Sequence, residues 1–374
     1  MVYFDAVVIG LGVTGSAALR SLAKRGRRVL GIDRYPPAHE FGSSHGESRI
    51  IRLGYYEHPS YVPLVREALS LWRALEAETG KALLTTTGIV EFGSPDSELI
   101  AGTLASSRLH RLPHEVMDAR AAMERFPALR LPPDCIAVFQ PDAGVLAAEM
   151  ALAAQIGSAM SAGADIKIGC TVLKIARGPR GIRLATSDGT IDAGKAIVAA
   201  GAWLPHLMPE LRLPLRVTRQ VMAWFAPGDT GGFEGRQFPV FLAQTGHGIH
   251  YGFPAGPHGV KVCKHFHLDE DTTPAAIERT VSPRDTAAIR AFLADHLPAL
   301  DRTPARAKTC LYTMTSDGDF ILDRVPNDLD VIVASACSGH GFKFAPAIGE
   351  ILADLATGET PRHDISRFRL SRFA

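Results

Sequence analysis

Three glycines near the N-terminus, Gly10, Gly12 and Gly15, form the pattern G-x-G-x-x-G between an apolar strand-like segment and a helical one. Asp33 ends the next strand-like segment, 18 residues after Gly15. Glycines at this spacing allow a tight turn, and the helix N-terminus offers N–H groups to a pyrophosphate, while the acidic residue can accept ribose hydroxyls. The pattern therefore predicts a dinucleotide site and leaves FAD and NAD undistinguished. The alternative is a tight turn that binds no ligand.

A later apolar segment, residues 196–203, contains Gly201 just after its strand-like part. It resembles the second strand and glycine that large FAD-binding folds use beside the dinucleotide. Taken alone, the segment could equally be an ordinary buried strand. We expect Gly201 to belong to the cofactor site.

These residues lie within a regular succession of helical and strand patterns. The first 33 residues predict strand, glycine turn, helix and strand, which together form a βαβ unit. The other predicted helices cover about residues 60–79, 147–161, 282–297 and 344–357. The other predicted strands cover about residues 166–175, 181–187, 196–200, 308–314, 320–322 and 330–334, with several more within 215–265.

The distribution of these patterns predicts an α/β (α+β) fold of two domains that interleave along the chain. A Rossmann-type cofactor domain is expected over residues 1–85, 146–214 and 317–374. A substrate domain, built on a mixed or antiparallel sheet, is expected over residues 86–145 and 215–316.

Composition excludes several classes of protein. Forty Lys and Arg against 39 Asp and Glu give a net charge of +1, which offers no general field for nucleic acid or an anionic membrane. Five widely spaced cysteines without a C-x-x-C pair suggest neither disulfides nor a metal site. No run approaches the roughly 18 apolar residues of a membrane helix. We expect a cytoplasmic protein without metal, with residues 362–372 as a solvated basic tail.

Three further segments narrow the prediction to a family. They are residues 42–52 (GSSHGESRIIR), 310–313 (CLYT) and 338–344 (SGHGFKF), and the final FRLSRF of residues 368–373 adds to them. With these motifs, nearly the whole chain resembles the monomeric sarcosine oxidase and N-methyltryptophan oxidase family, which are FAD-dependent amine oxidases of the D-amino acid oxidase-like superfamily.

The resemblance implies a glutathione-reductase-like FAD-binding fold and a monomer whose FAD is attached covalently through Cys310. It also implies oxidation of the C–N bond of a secondary amino acid, with O2 as the electron acceptor and H2O2 as a product. The imine then hydrolyses to an aldehyde and a primary amine. Sarcosine is the first substrate to expect, and a bulkier or cyclic secondary amino acid such as N-methyltryptophan or pipecolate is nearly as plausible.

The resemblance further implies the residues that bind substrate. Arg52 and Lys343 match the pair that holds the substrate carboxylate, a task suited to a guanidinium fork and an ammonium group. The carbonyl of Gly339 matches an acceptor for the substrate N–H. Leu242 stands where the sarcosine-type enzyme has Met, which leaves the preferred amine side chain open.

Lys261 matches a lysine near flavin N5 that would stabilise negative charge developing on oxygen. Strand alternation places Lys261, Cys263 and His265 on one face, with Val260 and Val262 on the other, and leaves open which face points inward. The alternative for Lys261 is a strand residue that points to solvent.

Tyr251, His265 and Tyr312 match residues on the substrate side of the flavin, where positioning and electrostatic roles are expected. Arg49 matches a residue stacked near the flavin attachment point, where positive charge raises the flavin potential. Ser44 replaces a His usual in the family. The cofactor-binding residues expected from all these motifs are Gly10, Gly12, Gly15, Asp33, Arg34, Ser43, His45, Arg49, Ile50, Val172, Gly201, Cys310, Gly339, Gly341, Phe342 and Lys343.

Three other functions fit parts of the sequence. A dehydrogenase of the same fold would pass electrons to a quinone or a protein, and Lys261 argues against it. An NAD-dependent enzyme would use the first βαβ unit alone and make Cys310 an ordinary strand residue. A flavoprotein-like binding module would have no physical reason to retain Arg52, Lys261, Cys310 and Lys343 together.

Overall fold

The computed structural model describes residues 3–228, 232–326 and 328–373. Its helices are α1 (Val13–Lys24), α2 (Tyr61–Thr79), α3 (Glu98–Leu109), α4 (Ala119–Arg125), α5 (Ala148–Ser161), α6 (Leu204–Leu207), α7 (Pro283–His296) and α8 (Ala345–Thr357). Its strands are β1 (Phe4–Ile9), β2 (Val29–Asp33), β3 (Ser48–Ile51), β4 (Leu84–Thr86), β5 (Ile89–Gly93), β6 (Glu115–Asp118), β7 (Ile136–Gln140), β8 (Gly144–Ala147), β9 (Asp165–Ile168), β10 (Val172–Gly178), β11 (Gly181–Thr186), β12 (Gly189–Val198), β13 (Leu215–Pro227), β14 (Val240–Thr245), β15 (Gly248–Gly256), β16 (Gly259–Lys264), β17 (Leu300–Thr315), β18 (Ile321–Val325) and β19 (Asp328–Ser335). None of these helices is long and apolar enough to cross a membrane.

The first sheet contains the predicted βαβ unit. Its strands run in the order β10-β11-β12-β1-β2-β9, and β19 pairs with β12 and β18. The pairs of β1 with β2 and β12 are parallel, and α1 connects β1 to β2. Helix α1 packs against α5 and α8, and Gly349 allows α8 to lie close to α1, because a Cβ there would lie 2.6 Å from the Ala17 carbonyl carbon.

The second sheet runs in the order β17-β13-β16-β15-β14-β5-β7-β6 and is antiparallel except between β14 and β5. One face packs on α7, where Val260 and Val262 join Phe292 in an apolar cluster. The opposite face carries Lys261 and Cys263, which are also buried. The question that strand alternation left open is thereby answered: both faces of β16 point into the protein, so the solvent-facing alternative for Lys261 is wrong.

A small third sheet has the strand order β3-β8-β4. Its strands occur where the chain passes between the two large sheets: β3 and β4 lie between β2 and β5, and β8 lies between β7 and β9. The first sheet draws its strands from residues 4–33, 165–198 and 321–335, and the second from residues 89–140 and 215–315. On this distribution we propose the two-domain division predicted from the sequence. The observed α/β fold, with a mainly parallel sheet and a largely antiparallel second sheet, confirms the predicted fold class.

The basic C-terminal segment is ordered against the first sheet, and the prediction of a solvated tail was wrong. Its arginines pair with acids at or before β18: Arg367 with Asp319 at 2.8 Å, Arg369 with Asp323 at 2.5 Å, and Arg372 with Asp317 at 2.7 Å. Sequence periodicity could not show this, because the acids lie about fifty residues earlier in the chain.

Candidate active site

A cavity of about 460 Å³ runs from the glycine turn to the inner face of the second sheet. Ile9, Asp33 and Ala334 line it from the ends of first-sheet strands, and Leu242 and Tyr312 line it from the second sheet. Its volume falls within the usual range for ligand sites. The protein therefore brings the predicted cofactor and substrate residues to one continuous space.

At one end of the cavity the two glycine segments touch. Gly10 has a φ of +89°, and a Cβ there would lie 2.6 Å from the Ala199 carbonyl oxygen. A Cβ on Gly15 would lie 1.8 Å from the Gly10 carbonyl oxygen. Only glycine fits both places, and the close packing brings Gly201 beside the N-terminus of α1, a good site for a pyrophosphate.

Asp33 and Ser44 secure the backbone of this turn. The Asp33 carboxylate accepts hydrogen bonds from the Leu11 N–H at 2.7 Å and the Tyr35 N–H at 2.8 Å, and it still lines the cavity. The Ser44 hydroxyl accepts from the Val13 N–H at 3.1 Å, at the start of α1. Ser44 therefore contacts the backbone of the dinucleotide turn through its small hydroxyl. The larger imidazole of the usual His could not make this contact with the same geometry.

Arg49 organises the loop between the glycine turn and β3. Its guanidinium donates to the carbonyls of Ser43 at 2.9 Å, His45 at 2.5 Å and Ser48 at 2.8 Å, and it lies 5.5 Å over the Phe342 ring. His45 is buried, and neither ring nitrogen has a partner among the described residues. Burial, reinforced by Arg49, lowers the pKa of His45 to about 4, so His45 is neutral at pH 7.

Cys310 lies on β17 with its side chain on the cavity wall. Its sulfur is 3.9 Å from the Gly42 carbonyl oxygen, and only 4% of the residue is exposed. Burial raises the pKa of this thiol, while Arg49 and Lys261 act in the opposite direction. Tyr312, two residues further along β17, extends from the same face of the strand.

Arg52 is buried at the other end of the cavity among acids and aromatic rings. It donates to both Glu57 oxygens at 2.6 and 2.8 Å and to the Gly54 carbonyl at 2.6 Å. Its guanidinium lies 4.3 Å over the Tyr55 ring and 4.8 Å over the Tyr56 ring. Burial lowers the pKa of Arg52, but the neighbouring acids more than offset burial, so the guanidinium remains charged.

Lys343 lies in the turn before α8 and is 6% exposed. Its ammonium donates to the His340 carbonyl at 2.8 Å and reaches the Tyr55 hydroxyl at 3.5 Å, while the Trp72 indole donates to the Lys343 carbonyl at 2.9 Å. Burial and then Arg52 lower the pKa of Lys343 to about 7. A bound anion would restore its charge.

Gly339 brings the backbone against two aromatic side chains. With a φ of +78°, it has no room for a Cβ, which would lie 2.8 Å from both His265 Cε1 and Tyr312 Cε2. His265 Nδ1 is 3.4 Å from the Tyr312 hydroxyl, and the Tyr251 ring centroid lies 6.4 Å from that of His265. Burial lowers the pKa of His265 to about 3, so its imidazole is neutral at pH 7.

Lys261 lies behind the cavity wall. Its ammonium donates to the Gly46 carbonyl at 2.7 Å, the Ser48 carbonyl at 3.0 Å and the Ser48 hydroxyl at 3.2 Å. It also lies 4.7 Å over the Phe253 ring. Burial, followed by Arg49, lowers the pKa of Lys261 to about 8, so the ammonium form dominates at pH 7.

The family follows from the sequence as a whole. The profile of the DAO family, described as FAD dependent oxidoreductase, matches residues 5–355. The chain belongs to this family. Its cofactor is FAD, which confirms that part of the prediction and excludes the NAD-dependent alternative.

Full-length relatives agree with this assignment. The chain is 39% identical to monomeric sarcosine oxidase of Streptomyces avermitilis, covering 99% of this chain and 98% of the relative. It is 36% identical to N-methyl-L-tryptophan oxidase of Salmonella typhimurium, covering 99% of each. The structure of NikD, an unusual amino acid oxidase essential for nikkomycin biosynthesis, in its open form, superposes with a TM-score of 0.87 at 30% identity, covering 99% of this chain and 98% of NikD. These similarities confirm the family resemblance drawn from the motifs.

The residues present fit FAD. The glycine turn leaves no space for side chains where the backbone must approach a pyrophosphate, and the cavity continues from there to Cys310 and Tyr312. The expected site residues found on its wall are Gly10, Gly12, Asp33, Arg34, Ser43, Arg49, Ile50, Arg52, Val172, Gly201, Leu242, Tyr251, His265, Cys310, Tyr312, Gly339, Gly341, Phe342 and Lys343. Gly15, His45 and Lys261 lie behind the wall.

Sequence reasoning missed the residues that surround Arg52. Tyr56, Glu57 and His340 line the cavity, and Glu91 lies beneath Arg52. Glu57 and Tyr56 follow Arg52 closely in sequence, which was a usable signal. Glu91, on a strand of otherwise apolar residues, was a second: an acid inside an apolar run is rarely buried without a reason.

Proposed function

We propose that this protein is an FAD-dependent oxidase of N-methyl amino acids. The substrate loses two electrons and two protons across its C–N bond, and O2 gains them to become H2O2. Water then adds to the imine, which releases formaldehyde and the primary amino acid. When bound, FAD accepts the electron pair from the substrate carbon and passes it to oxygen.

The observation that carries this proposal is the buried pair of Arg52 and Lys343 at the end of the FAD cavity. Two cations in a low-dielectric pocket form a site for a carboxylate. Gly339 lines the same cavity, packs against the rings of His265 and Tyr312, and can offer its carbonyl to the substrate N–H. An amino acid held at its carboxylate would thereby present its secondary amine to a fixed acceptor.

The side chains around the amine are neutral at pH 7. His265 is unprotonated because of burial, and burial raises the pKa of Tyr251 and Tyr312, so both keep their protons. A neutral His265 favours the neutral amine over the ammonium ion, because burial beside uncharged rings disfavours a cation. These residues position the amine and select its protonation state, and no strong base is needed.

We also propose that FAD is attached through Cys310. Its sulfur faces the cavity, and Arg49 and Lys261 both favour the thiolate, which is the reactive form of a thiol. His45, in the loop before β3, and Arg49, on β3, would assist the linkage. Ser44 replaces the His that is usual in the family, but His45 and Arg49 remain beside the proposed linkage.

Lys261→Met is expected to slow the reaction of the reduced protein with oxygen by roughly 10²–10³-fold. The ammonium is a fixed cation behind the cavity wall that can stabilise negative charge developing on oxygen. Stopped-flow mixing of substrate-reduced protein with oxygenated buffer measures this step, and anaerobic mixing with substrate measures the reductive step separately. The reductive step should change far less.

Lys264→Met is the matched control, because Lys264 lies on the same strand on the opposite face and should leave both steps unchanged. Lys261→Arg should recover part of the oxygen reaction. Equal loss in both half-reactions of Lys261→Met would assign Lys261 a purely structural role, through the Gly46 and Ser48 carbonyls that it binds.

A panel of secondary amino acids tests the proposed function. Purified holoenzyme is mixed with sarcosine, N-methyltryptophan, pipecolate or proline, and both anaerobic loss of yellow colour and aerobic peroxide are recorded. Bleaching with rapid peroxide formation supports the oxidase. Bleaching with slow reoxidation would favour a dehydrogenase with another acceptor. No bleaching with any member would contradict the proposal.

The members of the panel also separate the candidate substrates. Leu242, Tyr56 and Phe253 shape the space beside the amine site, and their bulk decides how large a side chain the substrate can carry. A preference for sarcosine over N-methyltryptophan would identify a small-substrate enzyme. The reverse preference, or a preference for cyclic amines, would identify the alternative that the sequence left open.

A further inference from the structure

Glu91 is a buried carboxyl beneath the substrate end of the cavity. It lies on β5 with 0% exposure, and its Oε2 accepts a hydrogen bond from the Gln140 amide at 3.1 Å. Its Oε1 has no hydrogen-bond partner within the described ranges and lies 3.8 Å from Arg52 Nε. A buried carboxylate with half of its acceptors unpaired is unfavourable unless it gains a proton or a closer cation.

Glu91 is linked to Arg52 by a closed set of contacts. Gln140, which donates to Glu91, accepts from the Gly54 N–H at 2.8 Å, and the Gly54 carbonyl accepts from Arg52. In the sheet, Glu91 also pairs with Leu242, which lines the cavity. When Arg52 gains a new hydrogen-bond partner, the charge and contacts around Glu91 therefore change as well.

The charges in this region balance only without substrate. When all are ionised, the cations Arg52 and Lys343 oppose the carboxylates Glu57 and Glu91. A substrate carboxylate adds a third anion to a low-dielectric pocket, where like charges strongly disfavour one another. Glu57 keeps two short contacts to Arg52, whereas Glu91 has only the longer one, so Glu91 is the anion most easily neutralised.

We propose that Glu91 takes up one proton from solvent when the substrate carboxylate binds at Arg52, so that the site binds its anionic substrate together with a proton. The proton forms an O–H bond on the Glu91 carboxyl and no electrons are transferred. This role rests on the proposed function, and it makes Glu91 a positioning residue that acts through Arg52.

The titratable groups around Glu91 support this assignment. Burial raises the pKa of Glu91 to about 7; Arg52 and the Gln140 amide lower it, whereas Glu57 raises it. Tyr56 keeps its proton because burial and then Glu57 raise its pKa well above the ordinary value.

Lys343 is the competing acceptor, since its pKa is lowered to about 7. A proton taken up on anion binding could therefore go to the Lys343 amine rather than to Glu91. An experiment must separate these two groups.

Calorimetry counts the proton directly. Holoenzyme is titrated with methoxyacetate, a carboxylate without an oxidisable amine, at pH 8 in two buffers that differ in ionisation enthalpy. Wild-type protein should take up roughly 0.5–1 proton per carboxylate bound, because Glu91 is largely ionised at pH 8 before binding. Glu91→Gln should take up less than half of the wild-type amount.

Glu98→Gln is the matched control, because Glu98 is an exposed acid at the start of α3, near Tyr56, and should leave the proton count unchanged. Undiminished uptake in Glu91→Gln would assign the proton to Lys343 and overturn the proposal. Failure of wild-type protein to bind any carboxylate would instead overturn the proposed function and this inference with it.

Two further measurements do not depend on the calorimetric comparison. In wild-type protein, the Kd for methoxyacetate should rise several-fold between pH 7 and pH 8.5, and Glu91→Gln should flatten this rise; an equal rise in both proteins would assign the proton to Lys343 and overturn the proposal. A carboxyl whose pKa is raised on folding lowers stability as pH rises from its unfolded value, near 4.5, through about 7. Glu91→Gln should therefore raise Tm at pH 8, and a lower Tm would contradict a strained carboxylate there.

Discussion

Arg52→Met is expected to lower kcat/KM for N-methyl amino acids by roughly 10³-fold, the loss that accompanies removal of one partner from a buried charge pair. The guanidinium is the more firmly held of the two cations at the carboxylate site, with Tyr55 and Tyr56 packed against it. Without it, only Lys343 would face the substrate carboxylate, while Glu57 would be left as an unpaired anion. Steady-state kinetics and anaerobic reduction by sarcosine measure the loss.

The role of Arg52 is separated from general damage by a substrate without a carboxylate. For N-methylbenzylamine, wild-type and Arg52→Met protein should show similar and low rates. Arg52→Lys should recover part of the activity, because an ammonium restores charge without the bidentate fork. An equal loss for carboxylate and carboxylate-free amines would contradict carboxylate binding by Arg52. The added change Glu57→Gln would remove the unpaired anion if the single variant folds poorly.

The parts of the fold that sequence patterns predicted are those set by local interactions. The helix predicted between the first two strands forms over Val13–Lys24, and the helix predicted over 60–79 forms over Tyr61–Thr79. Ser282 and Asp285 form the capping box that starts α7, at the beginning of the helix predicted over about residues 282–297. In these segments, apolar spacing, caps and glycines act over a few residues, so the sequence carries the information directly.

The order of the second sheet could not be predicted in this way. β5 pairs in parallel with β14 although about 150 residues separate them, and β17 pairs with β13 along its length. Such pairings depend on how whole faces bury together rather than on any local pattern. The same limit applies to the C-terminal arginines, whose acidic partners lie far away in sequence.

The candidate active site shows the same division between features set by local sequence and features set by long-range packing. The glycine turn and the motifs containing Arg52, Cys310 and Lys343 were recognisable because each keeps its residues within a short segment. Glu91 could be noticed as an acid within an apolar run, but its link to Arg52 could not be predicted, because that link depends on burial on β5 beneath an arginine some forty residues earlier. Charge compensation inside a pocket is a property of the folded protein, and residue types alone do not reveal it.

Cys310→Ala is expected to abolish covalent flavin while leaving a folded protein. Cys310 lies in a buried stretch of β17, and the loss of one sulfur removes little packing. Acid precipitation should then release all yellow colour to the supernatant, whereas wild-type protein should keep it in the pellet. Absorbance of pellet and supernatant measures the result, and circular dichroism checks the fold.

Cys337→Ala is the matched control, since Cys337 also lines the cavity and is half-buried. It should keep flavin in the pellet. Flavin retained by Cys310→Ala and lost by Cys337→Ala would move the linkage to Cys337, and retention by both would contradict attachment at either cysteine. If wild-type protein itself releases its flavin, FAD remains the cofactor through the glycine turn, but the thioether is excluded. The carboxylate site would then be unaffected, because Arg52 follows β3 and Lys343 lies in the turn before α8, and neither residue is on β17.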